Sequence, residues 1–100
     1  MSYNPISVII QGTFTDRSGT ITAGGVAQDV MAINTDRQWM EFQNVSLSDM
    51  WINFGTNAVA NEPSFFLGPG GSYYPSLFVS TQRVSVFCAT TGAEFTAKEG

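Results

Sequence analysis

Apolar and polar residues alternate in short runs along this chain, and no stretch sustains a helical period. The runs are cut by Gly, Asn, Asp and Pro, the pattern of many short strands in a sandwich or barrel. Ile6-Ser7-Val8-Ile9-Ile10 reads as a first strand closed by Gly12. Asp16-Arg17-Ser18-Gly19 reads as a turn, and Thr20-Ile21-Thr22 as a short strand stopped by Gly24-Gly25. Val26 to Ile33 fits a strand or a helical turn, because Gln28-Asp29 interrupts it.

The centre alternates more cleanly. Trp39 to Val45 places Met40 and Phe42 inward and Glu41 and Gln43 outward. Met50, Ile52 and Phe54 share one face of a second run, and Ser46-Leu47-Ser48-Asp49 is a short polar link between the two. Two such runs so joined predict a hairpin ended by Gly55. Further strands are expected at Ser64–Leu67, Ser72–Tyr74, Val79–Ser80, Val84–Cys88 and Glu94–Ala97, with Gly68-Pro69-Gly70-Gly71 as the strongest turn signal. The total is seven to nine strands, with no substantial helix.

One hundred residues make a single domain. Only 12% are charged, about half the usual share. Four Lys+Arg and a net charge of −4 do not suit a phosphate track, so no nucleic-acid partner is expected. Histidine is absent, which excludes His-based triads, dyads and zinc sites. The carboxylates are scattered singly, and Glu41 and Asp49, on either side of the central link, make a poor hydrolytic pair. No calcium-loop or phosphate-loop motif occurs, so neither a metal, a cofactor nor an enzymatic activity is expected.

The single cysteine, Cys88, shares a strand face with Val84 and Val86 and reads as a small buried hydrophobe. The N-terminus has no basic region, and Ile6–Ile10 is too short for a signal or a membrane span. The expected workplace is a cytoplasm or something assembled in one, and Asn44-Val45-Ser46 then reads as a chance sequon. Thr-Asp-Arg occurs twice, at 15–17 and 35–37, and reads as recurring turn chemistry.

Thirteen aromatics are more than so small a core needs. Met40, Phe42, Ile52, Phe54 and Val86 fill most of an inter-sheet space about 10 Å thick. Trp39, Trp51, Phe65, Phe66, Tyr73, Tyr74 and Phe78 compete for what is left, and both tryptophans fall out of phase with the inward residues. Such residues pack over edges or serve as interface anchors. Low charge favours the second use, because interface cores are depleted in ions.

Residues 36–46 (Asp-Arg-Gln-Trp-Met-Glu-Phe-Gln-Asn-Val-Ser) and 49–55 (Asp-Met-Trp-Ile-Asn-Phe-Gly), with Pro63-Ser64, Leu67-Gly68-Pro69-Gly70-Gly71-Ser72-Tyr73 and the ending Phe95-Thr96-Ala97-Lys98-Glu99, resemble small virion structural proteins of tailed bacteriophages and prophages. The similarity covers roughly residues 20–100. It implies a compact, jelly-roll-like β-sandwich over 20–100, with residues 1–19 as an N-terminal arm or first strand.

The resemblance implies a capsid decoration (cement) or head-fibre protein on the capsid surface of the virion. Its partners would be the major capsid protein and copies of itself, with a homotrimer favoured and no membrane involved. The expected interface residues are Tyr3, Ile6, Trp39, Trp51, Phe65, Phe66, Tyr73 and Tyr74. A tail or fibre component and a glycan-binding module are the alternatives.

Overall fold

The computed structural model describes residues 13–75 and 77–100. They form nine strands: β1 (Thr15–Asp16), β2 (Gly19–Thr20), β3 (Gln28–Met31), β4 (Met40–Asn44), β5 (Met50–Phe54), β6 (Phe65–Leu67), β7 (Ser72–Tyr73), β8 (Val84–Phe87) and β9 (Glu94–Glu99). Every pairing among them is antiparallel. No helix occurs among the described residues. The ambiguous 26–33 segment is therefore a strand, β3, with a register shift between Asp29 and Met31. No strand forms at Val79–Ser80. The expected first strand at Ile6–Ile10 lies outside the described residues.

The first sheet runs β1/β2–β9–β4–β7 and the second β3–β8–β5–β6. β1 and β2 keep one common register against β9, with Thr15 opposite Glu99 and Thr20 opposite Glu94. They are one strand interrupted at Arg17–Ser18, so the reversal expected at 16–19 does not occur. The Ser18 hydroxyl fills the gap by accepting the Ala97 N–H at 3.0 Å. The 19/20 boundary expected from the sequence falls within this strand. Counted this way, eight strands form two four-stranded sheets, and nearly every connection crosses between them. That order is a jelly roll.

The central hairpin predicted from the sequence does not form. β4 and β5 lie in opposite sheets, each between two other strands. Two physical reasons converge. Their inward faces, Met40/Phe42 and Met50/Ile52, are wholly buried in one shared core, which two opposed sheets accomplish directly. In addition, Asn44 holds the link in an arch. Its side-chain NH₂ donates to the Ser48 carbonyl at 2.6 Å and the Leu67 carbonyl at 2.9 Å. Its side-chain oxygen accepts from the Ser46 N–H and hydroxyl. Asn44 is fully buried, so the sequon nitrogen is committed to the turn.

The core draws Met40, Phe42, Phe95 and Ala97 from the first sheet and Met31, Met50, Ile52, Val84 and Val86 from the second. Phe42 and Phe95 stack at 5.1 Å between centroids. Each fully buried large apolar side chain contributes roughly 1.5–3 kcal/mol. Cys88 is buried and free, on the inward face its alternation predicts.

One end of the sandwich is closed by polar groups. Arg37, in the β3–β4 loop, donates from Nε to Glu99 Oε1 at 2.8 Å. Its Nη1 reaches the Ser80 and Gln82 carbonyls, and Nη2 the Ala32 carbonyl. Arg17 reaches Glu99 Oε2 at 2.9 Å, and Asn34 reaches Oε1 at 3.1 Å. The two Thr-Asp-Arg triplets thus deliver both arginines to one carboxylate, a role beyond turn chemistry. Among the described residues no buried side-chain N or O lacks a partner.

Candidate interaction surface

Strand alternation gives the two sheets unlike outer faces. On the first sheet Glu41 stands opposite Lys98, Gln43 opposite Thr96 and Ser72, and Asp16 opposite Lys98. That face is polar and carries both signs of charge. Trp39 lies at its end beside Phe14, with ring centroids 4.6 Å apart. The Phe14 ring lies against Gly100, which exchanges backbone hydrogen bonds with Trp39.

On the second sheet, Trp51 of β5 pairs directly with Phe66 of β6 on one side and Phe87 of β8 on the other. The three residues form an aromatic row across three strands. Trp51 and Phe66 are in contact, with centroids 4.8 Å apart. Phe66 remains 53% exposed, while Trp51 and Phe87 are half-buried.

The far half of this outer face is covered. The loop after β5 folds over Asn53 and Ser85: the Ala58 N–H donates to the Ser85 hydroxyl at 2.8 Å, which donates to the Thr56 carbonyl. The near half is open. There a cleft of about 450 Å³ is bounded by Leu47, Ser48, Asp49, Trp51, Phe87 and Thr90, with Ala60 and Ala89 beside them. Leu47, at the tip of the β4–β5 arch, is 95% exposed.

The residues singled out in the sequence therefore separate into groups. Trp51 and Phe66 belong to the open aromatic row. Phe65 and Tyr73 point the other way and meet Phe54 in a triangle with centroid distances of 5.3–5.8 Å. That triangle lies between edge strands β6 and β7, and Phe65 remains 50% exposed there. Tyr74 is exposed just beyond β7, and Leu77 and Phe78 are exposed on the connection that follows. Trp39 lies on the opposite outer face. Tyr3 and Ile6 lie outside the described residues.

Phe87, Leu47 and Asp49 were not among the expected interface residues. Phe87 was within reach of the same argument that found Trp51, because inward Val84, Val86 and Cys88 force it outward. Leu47 carries no pattern signal, since a single apolar residue between two serines resembles any turn.

Chemically this face offers large aromatic rings. Large rigid rings lose little conformational freedom on binding and remove much apolar area from water. Among the described residues, no group of three or more Cys, Asp or Glu side chains is placed to hold a metal ion. In comparisons with known proteins the chain matches no protein-family model, no curated protein and no solved structure.

Proposed function

We propose that this chain is a structural protein of a tailed-phage virion, a decoration protein that attaches to the outside of the head and bridges major capsid subunits. The observation that carries this reading is the open row of Trp51, Phe66 and Phe87, which only the second sheet's outer face carries, beside the Arg83–Asp29 pair. A chain that coats a shell needs one face to bury and one to present to water. The resemblance of residues 36–55 and 67–73 to phage virion proteins supports the choice of shell.

The mechanism is mechanical. The second sheet lies on the capsid, and its aromatic row fills depressions between subunits. An interface of standard size, about 800 Å² per partner, is enough for specific attachment. A trimer at a local three-fold position makes the second and third contacts intramolecular, so modest single-site affinities sum to durable attachment. Rigid jelly-roll layers pass tension between the bridged subunits.

The test is co-sedimentation of the purified protein with tailless heads and, separately, with isolated tails. Saturable retention on heads at a fixed copy number per capsid supports decoration. Retention on tails alone reassigns the protein to the tail, and retention on neither discards the virion reading.

A further inference from the structure

The open half of the aromatic face holds one unexplained charge. Alternation places Asp49 on the same side of β5 as Trp51, two residues and about 7 Å along the strand. The Asp49 carboxylate and the Phe66 ring both border the space over Gly68: a Cβ there would be 4.0 Å from Asp49 Oδ1 and 3.4 Å from the Phe66 ring. Asp49 also lines the cleft floored by Trp51 and Phe87. Among the described residues it makes no ion pair, and its carboxylate accepts no hydrogen bond.

The basic side chains of the described residues lie elsewhere. Arg17 and Arg37 bind Glu99 at the end of the sandwich. Arg83 lies on the second sheet's outer face, but four residues along β8 from Phe87, and pairs with Asp29 at 2.6 Å. Lys98 is on the other outer face, opposite Glu41 and Asp16. Among the described residues the cleft therefore combines π-faces, one carboxylate without an ion pair and the Ser48–Thr90 hydroxyl pair, bonded to each other at 2.9 Å, with no cation.

We infer that this cleft receives an arginine side chain presented by the shell subunit, its guanidinium against the aromatic row and its N–H groups directed at Asp49. The inference rests on the docking role proposed above and names the chemistry of the partner. Arginine fits better than lysine because a planar guanidinium stacks on an aromatic ring while offering two parallel N–H groups to a carboxylate. An ammonium does one or the other. Docking would cover the half-exposed rings and keep water from the pair, where cation–π and ionic attraction are both stronger than at an exposed site.

The experiment has two arms. In the first, wild type, Asp49→Asn and Glu94→Gln (a carboxylate on the other outer face) are titrated onto tailless heads at rising NaCl. Asp49→Asn is expected to weaken retention about tenfold or more and to flatten its salt dependence, while Glu94→Gln leaves both unchanged. In the second, Trp51 emission is followed in a Trp39→Phe background during titration with N-acetyl-arginine amide, with N-acetyl-lysine amide at equal ionic strength as control. A saturable arginine response that Asp49→Asn removes is expected.

Whether wild type is retained on heads reports on the docking role alone. If it is retained, equal retention and equal salt dependence of Asp49→Asn overturn the arginine assignment. If it is not, the peptide-amide titration decides: saturation that depends on Asp49 upholds the cleft as an arginine site, and a linear or arginine-indifferent response overturns it.

Discussion

Arg37 and Glu99 meet across one end of the sandwich, 2.8 Å from Nε to Oε1, with both side chains almost wholly withdrawn from solvent. The pair joins the β3–β4 loop to the last residue of β9, and three further guanidinium hydrogen bonds tie in the segments at 32 and 80–82. Removing one partner of a buried pair leaves the other charge unpaired and costs about 3–5 kcal/mol. Arg37→Met is expected to lose that much in urea unfolding. Arg37→Lys recovers little of it, because an ammonium cannot reproduce the spread of four hydrogen bonds.

The same cluster sets an acid limit. Burial pushes the Glu99 carboxyl up, but hydrogen bonds from Arg37, Asn34 and Arg17, with the Arg37 charge, outweigh it and hold the group below its ordinary value of 4.5. A carboxyl whose pKa is lower folded than unfolded adds stability above its unfolded value, and that stability is lost as pH falls through the folded one. Urea midpoints of the wild type should therefore decline below pH 4.5. Glu99→Gln should start lower at neutral pH and decline less in acid.

Asn44 maintains the arch that sends β5 into the second sheet. Asn44→Ala leaves the Ser48 and Leu67 carbonyls and the Ser46 N–H without this partner, at a cost of about 1–3 kcal/mol for each group left buried and unpaired. The expected result is a lowered urea midpoint with an unchanged far-ultraviolet spectrum, because the strands themselves remain paired.

Gly24 packs against the backbone of the β8–β9 turn. A Cβ there would overlap the Ala89 carbonyl and come within 3.0 Å of the Thr91 nitrogen. Backbone cannot move aside as a side-chain tip can, so Gly24→Ala should destabilise by about 1–3 kcal/mol or more. Gly25→Ala, with open space around it but φ of +81°, should cost about 1 kcal/mol, from backbone strain alone. Thermal melts of the two variants separate these causes.

Much of the sandwich was legible because alternation is a local property. Met40/Phe42, Met50/Ile52 and Val84/Val86/Cys88 all point inward as their phase requires. The same rule puts Trp51 outward, into the open aromatic row. Sheet membership was not legible. A four-residue polar link serves a hairpin or an arch equally well, and the choice rests on Asn44 reaching the Leu67 carbonyl, a partner remote in sequence. The register of residues 15–20 on β9 is likewise a long-range fact, as is the convergence of Arg17 and Arg37 on Glu99. For the surface, phase singled out Trp39 and Trp51, and Phe66 was one of the aromatics left over from the core. Phase did not show that Phe65 and Tyr73 meet around Phe54 at the sandwich edge rather than joining the Trp51 row.

The central claim is that the second sheet's outer face, and not the first, lies against the shell. Placing a lysine in each face and titrating the folded variants onto tailless heads tests it most directly. Phe66→Lys should abolish retention while Gln43→Lys binds as wild type does. Equal retention of the two variants, or loss only with Gln43→Lys, would contradict the account.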